Sequence, residues 1–305
     1  MTEDWTARDT PAPSLTKYAI IDDSYTQTRK TCIVRPDGVK LEQITDNNPN
    51  STTYGLLLED KTWSDENNTT LLASSTVNWT HGNYNSPRPT RTVVTDERGQ
   101  VTATDFDAYG PYNQVIDRRE RGYGGTALLH RIHTEYHNGV EYTGYLINSG
   151  TLWYQHPSWG PQWSGPHIFS LPLATEVYAN NDTTREARTE YGYDAVPAGQ
   201  LTDTPGAPQH TSAPDQRGNL TSVKRFANAL TLDQATAVVE TRGYDICGNV
   251  RTLSTSCCEQ TTLNYTYATR FAWPTSSTRG SASDSTKQNT TSATIDLNTG
   301  LVTDT

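Results

Sequence analysis

Of 305 residues, 33% are hydrophobic, mean hydropathy is -0.71, and 24 Lys and Arg against 34 Asp and Glu leave a net charge of -10. A pI near 5.1 with no basic stripe argues against a nucleic-acid binder, and no apolar run approaches the roughly 18 residues of a membrane-spanning helix. Leu, Ile, Val and Phe total 50 residues, under the ~20% level associated with disorder, yet the charge imbalance is too small for a disordered chain.

The apolar surface sits instead in 17 Tyr, 7 Trp and a Thr count of 50, with a single Met. These are strand-favouring types, so the expected class is all-β. The start, Met1-Thr2-Glu3-Asp4, has neither a basic nor an apolar stretch of a secretory signal. Residues 1–90 show one trace of regularity, Arg35-Pro36-Asp37-Gly38-Val39, and are read as a degenerate N-terminal β region. From 91 to 305 a pattern recurs: Asp-x-x-Gly, then Asn or Gln, then Val or Leu. It stands at Asp96-Glu97-Arg98-Gly99-Gln100-Val101, Asp215-Gln216-Arg217-Gly218-Asn219-Leu220 and Asp245-Ile246-Cys247-Gly248-Asn249-Val250. Looser copies are Phe106-Asp107 with Gly110, Tyr193-Asp194 with Gly199-Gln200, and Ile295-Asp296 with Gly300. An Asp at the first turn position accepts hydrogen bonds from the backbone two residues on, and Gly at the fourth gives a free exit. Each unit therefore reads as strand, tight turn, strand, and must stack on its neighbours to bury a face. These Asp and Gly residues are predicted to be scaffold, not an active site.

Between the repeats lie features that carry possible chemistry. His130, His133 and His137 precede Asn138-Gly139, a favoured hairpin turn. Strand alternation puts His133, Glu135 and His137 on one face and His130 on the other, which is too few ligands for a metal site to be expected. The stretch Trp153 to Trp163 offers Trp153, Trp159 and Trp163 either as stacking platforms for sugars or as plugs for the inside of a curved sheet. Arg118, Arg119 and Arg121, interrupted by Glu120, read as a solvated strand face. Cys32 and Cys247 stand alone, and the adjacent Cys257-Cys258 match neither a redox pair nor a zinc spacing. No nucleophile elbow, phosphate loop, dinucleotide fingerprint or zinc-protease motif is present, so neither an enzyme nor a cofactor is expected.

Tyr193-Asp194 through Gly199-Gln200-Leu201-Thr202, and Tyr244-Asp245 through Gly248-Asn249-Val250, resemble the tyrosine-aspartate (YD) repeats of bacterial RHS-repeat proteins. Arg217-Gly218-Asn219-Leu220, Phe271-Ala272-Trp273-Pro274-Thr275 and Asp296 to Thr303 continue in the same idiom. Two departures stand out: Tyr267 is followed by Ala268 instead of Asp, and Val196-Pro197-Ala198 is inserted after Asp194. The resemblance implies a curved antiparallel sheet of stacked YD-repeat hairpins, part of a spiralling hollow β-shell. In the relatives, among them Tc-toxin C-components and teneurins, the shell encloses or presents other polypeptide. By that resemblance the chain is a non-enzymatic segment of a longer extracellular or cell-surface protein. Its expected partners are further YD units and an enclosed toxin polypeptide. A carbohydrate-binding β module is the alternative.

Overall fold

The computed structural model describes residues 2–6, 15–82, 86–137, 145–146, 163–164, 168–195, 217–256, 260–281 and 284–304. The chain is all-β and antiparallel, and it divides into two compact units. The first comprises residues 1–133 with 177–184; the second comprises 134–176 with 185–305.

The first unit is a meander in which each strand pairs with the next in the chain. Its strands are β1 (Thr2–Thr6), β2 (Leu15–Asp23), β3 (Thr28–Val34), β4 (Lys40–Asp46), β5 (Leu57–Trp63), β6 (Leu71–His81), β7 (Pro87–Asp96), β8 (Val101–Tyr109), β9 (Val115–Arg121) and most of β10 (Leu128–Tyr136). The pairings run without a gap from β1–β2 to β9–β10. Residue 90, the edge of the expected N-terminal region, lies inside β7.

The second unit holds β11 (Tyr145–Leu146) paired with β12 (Trp163–Ser164), and most of β13 (Pro172–Tyr178). Its meander continues through β14 (Arg185–Tyr193), β15 (Leu220–Arg225), β16 (Val238–Tyr244), β17 (Val250–Thr255), β18 (Gln260–Tyr265), β19 (Pro274–Gly280) and β20 (Gln288–Ser292). A last small hairpin joins β21 (Thr294–Ile295) to β22 (Val302–Asp304). Pro87, Pro172 and Pro274 each stand first in their strand, a position where the missing N–H costs least.

The interior is thin. Among the described residues the buried apolar side chains are Cys32, Ala103, Ala174, Val223, Phe226, Ala229 and Tyr244, mostly small. Nearly as many buried residues are polar or charged: Glu42, Gln114, Glu176, Thr221, Asp245 and Thr269. The great majority of buried polar groups in folded proteins are hydrogen-bonded, so the turns and ion pairs carry much of the specification of this fold.

Candidate functional site

The most completely built feature is the turn at Asp245. Its backbone N–H donates to Asn249 O at 2.9 Å, and Gly248 N–H donates to Asp245 O at 3.0 Å. The carboxylate is fully buried, and its Oδ1 accepts from Cys247 N and Asn249 N, both at 2.9 Å. Gly248 exits in the left-handed region at φ +88°, where a side chain would be strained. The exposed turn at Asp96 repeats this plan: Asp96 Oδ1 accepts from Arg98 N and Gln100 N, and Gly99 lies at φ +73°. Arg35 to Val39, the faint unit of the N-terminal region, closes the same way with its carboxylate at the third position, where Asp37 Oδ1 accepts from Val39 N at 3.1 Å. Arg35 N donates to Val39 O at 2.9 Å, and Gly38 N donates to Arg35 O at 3.0 Å.

What distinguishes the Tyr-Asp turns is the residue before the Asp. Tyr244 pairs with Val250 at a register shift, and its hydroxyl donates to Leu220 O at 2.9 Å. Leu220 is itself the partner of Tyr193 at the same kind of shift in the preceding hairpin that turns on the same side. Tyr265 pairs with Pro274 in the same manner. The glycine before the tyrosine admits the opposite side chain: a Cβ on Gly192 or Gly243 would clash with Ser222 Oγ or Thr252 Oγ1. The bulged residue on the return strand can also bond back, as Thr221 Oγ1 donates to Gly192 O and Thr275 Oγ1 to Asn264 O. Neighbouring turns are tied directly too, by Arg217 Nη1 to Ile246 O at 2.6 Å and by Asn249 Nδ2 to Phe271 O at 3.0 Å.

The first unit shows the device with other rings. Trp63, Trp79 and Tyr109 pair with Leu71, Pro89 and Val115, each at a register shift. Trp79 Nε1 donates to Leu57 O at 2.7 Å, and Tyr109 OH donates to Pro89 O at 2.5 Å. An aromatic ring thus closes each of these strands, and at Trp79 and Tyr109 its polar tip fixes the backbone of the preceding hairpin on that side.

No protein-family model matches the chain, and no curated protein is similar to it. Among solved structures, a porin-like protein from Bacteroides uniformis is 12% identical, with 83% of this chain and 79% of that chain covered at a TM-score of 0.31. A likeness of that size carries no argument.

The structure rearranges several sequence-predicted residues. Asp194 does not close a turn with Gly199-Gln200, which lie outside the described residues. Its carboxylate accepts from Arg217 N at 2.9 Å, Gly218 N at 2.8 Å and Asn219 N at 3.0 Å, and its N–H donates to Asn219 O. Tyr193-Asp194 and Arg217-Gly218-Asn219-Leu220 are therefore the two halves of one closure in the register of Tyr244-Asp245 and Cys247-Gly248-Asn249-Val250, with Gly218 N on the carboxylate where Gly248 N is on the backbone oxygen, and Asp194 itself at φ +49°. Asp215 lies outside the described residues.

Asp107 is no turn residue. It lies inside β8, where Arg119 Nη1 is 2.7 Å from its Oδ2. Gly110 opens the following turn instead of closing it, because Gly110 N donates to Gln114 O and Asn113 takes the left-handed position at φ +65°. Gln114 Oε1 accepts from Tyr112 N, doing from the far end of the turn what the Asp carboxylate does elsewhere. Asp296 and Gly300 do share a turn, one residue longer, with Gly300 N donating to Asp296 O at 2.7 Å. Tyr267 is a tip residue packed edge-on against Phe271; the repeat position belongs to Tyr265, with Thr266 in place of Asp.

His133 Nδ1 lies 3.0 Å from Asp117 Oδ1, and His130 Nε2 lies 2.9 Å from Glu120 Oε2. Glu135 stands 4.0 Å from Arg188, so the face of His133, Glu135 and His137 is not gathered into a ligand set. No group of three or more metal-binding side chains occurs among the described residues. Trp153 and Trp159 lie outside the described residues, and of Trp163 the backbone alone is described, paired with Leu146.

Sequence reading singles out Tyr193 and Tyr244 but misses Trp63, Trp79 and Tyr265. The signal it had was an aromatic ending an alternating run just before turn-forming residues.

Proposed function

We propose that this chain is a non-enzymatic structural segment of a YD-repeat protein, one whose hairpins line up to form part of a β-shell that encloses or presents another polypeptide outside the cell. The observation that carries this reading is the tie from Tyr244 OH to Leu220 O, made from one Tyr-Asp hairpin to another that turns on the same side. A repeat that must stack needs a contact of this kind between units, and a catalytic loop does not. The balance of buried polar and apolar residues supports the same reading, since a wall needs no thick apolar core. Electron microscopy of the protein purified from its native source tests it. A hollow particle with polypeptide density inside is the expected result; a solid particle, or one with no second polypeptide in its mass profile, overturns it.

A further inference from the structure

Lys40 opens β4 and Glu42 follows two residues later, so the two side chains stand on the same face. Lys40 Nζ lies 2.7 Å from Glu42 Oε1 and donates to the side-chain oxygen of Asn68 at 2.9 Å. The Lys40 side chain is 14% exposed and that of Glu42 is 4% exposed. Asn68 is presented by the turn between β5 and β6, which is fixed by Ser64 N to Thr70 O at 2.9 Å and by Asn67 N and Thr69 N to Asp65 Oδ1. A sheltered amine thus stands at hydrogen-bond distance from both a buried carboxylate on its own strand and the exposed carboxamide of Asn68 on the β5–β6 turn.

We propose that Lys40 and Asn68 join in an intramolecular isopeptide bond, with Glu42 carrying the protons. Glu42 takes a proton from the Lys40 ammonium group. The freed electron pair on Nζ attacks Cγ of Asn68, and the Nζ–Cγ bond forms as the Cγ–Nδ2 bond breaks. Two protons in all pass from Nζ, by way of Glu42 and the solvent around the exposed Asn68 side chain, to the departing Nδ2, which leaves as ammonium, and Glu42 ends as the carboxylate it began as. The product is a secondary amide, and no oxidant, metal or co-reactant is consumed. Burial alone would raise the Glu42 pKa, but Lys40 and Lys30, at 2.7 and 3.6 Å, outweigh it and hold its carboxyl below the ordinary value, so that it stands ionised beside the ammonium group. This inference is independent of the function proposed above. It gives a thin sheet a covalent brace where Cys32, one strand away, is free.

Intact-mass spectrometry of the purified full chain is decisive. The expected mass is about 17 Da below that of the sequence, the loss of one ammonia. Trypsin should fail to cut after Lys40, and fragmentation should join Lys40 to Asn68. Lys40→Arg, Asn68→Ala and Glu42→Gln should each restore the full mass. Succinimide formation at an Asn gives the same loss, so hydroxylamine is the control: it opens a succinimide and leaves an isopeptide intact. Wild-type chain at full mass, or a loss that persists in Lys40→Arg, overturns the proposal without requiring any variant to fold.

Discussion

A carboxylate in a turn is worth what its surroundings make it worth. Asp245 and Asp96 accept the same pair of backbone N–H groups, yet Asp245 is fully buried and also receives Asn249 Nδ2 at 3.1 Å, whereas the Asp96 bonds are exposed. Removing an acceptor costs most where water cannot take its place. Asp245→Ala should therefore destabilise by about 2–3 kcal/mol and Asp96→Ala by about 0.5–1 kcal/mol, read as shifts in urea unfolding midpoints. Equal shifts would mean that the buried turn is no more than a reverse turn. Tyr193, the ring before Asp194, gives a second handle. Burial, with a smaller contribution from Tyr191, pushes its pKa from 10.0 to about 12. The native state thus holds the phenolic proton more tightly than the unfolded chain does. Its contribution to stability is complete below pH 10 and is lost as pH rises towards about 12. Stability measured across that window should fall less steeply in Tyr193→Phe than in the wild type.

At the scale of the hairpin, the sequence is legible where one turn is written in contiguous residues. Asp96 to Val101 and Asp245 to Val250 fold as the Asp-x-x-Gly pattern predicts, and Arg35 to Val39 folds the same way with Arg in the first position and the accepting carboxylate on Asp37. It misleads where geometry and sequence distance part company. Asp194 finds its glycine at Gly218, because a hairpin closes on whichever backbone its strands bring together, and loop closure grows costlier only slowly with length. It misleads again at Gly110, where Asn113 can take the left-handed position and Gln114 the acceptor role, so the residues of the pattern appear with their duties exchanged. The aromatic ties are long-range: a ring that ends an alternating run before a turn marks where a tie starts, and nothing local marks the carbonyl it reaches. One consequence is testable by deletion. Excising residues 195–215 leaves Tyr193-Asp194-Gln216-Arg217-Gly218-Asn219-Leu220, which has the spacing of the Asp245 turn. Closing a shorter loop costs less chain entropy, so the deletion variant should fold and be more stable by about 1–2 kcal/mol, read by circular dichroism melting and urea titration. Loss of the β-sheet signal would show that Asp194 and Gly218 do not belong to one turn.

For the whole molecule, the composition sets the puzzle of too few aliphatic residues for a core and too little charge for disorder. The meander answers it, because each strand needs only its chain neighbours, and the described core is a scatter of small apolar residues among bonded polar ones. Such a chain is close to one-dimensional: its stability is a sum of local hairpin terms and nearest-neighbour ties, with little to spread a defect. Damage should therefore stay near its origin. In Asp245→Ala, the lost acceptor weakens the β16–β17 turn, and the tie from Tyr244 to Leu220 passes the effect to β15. Amide hydrogen exchange followed by mass spectrometry should quicken over residues 220–265. Residues 28–63, which form β3 to β5 in the other compact unit, should exchange at the wild-type rate. A uniform rise over both segments would mean that the chain unfolds as a single cooperative body, and the nearest-neighbour account of its stability would be wrong.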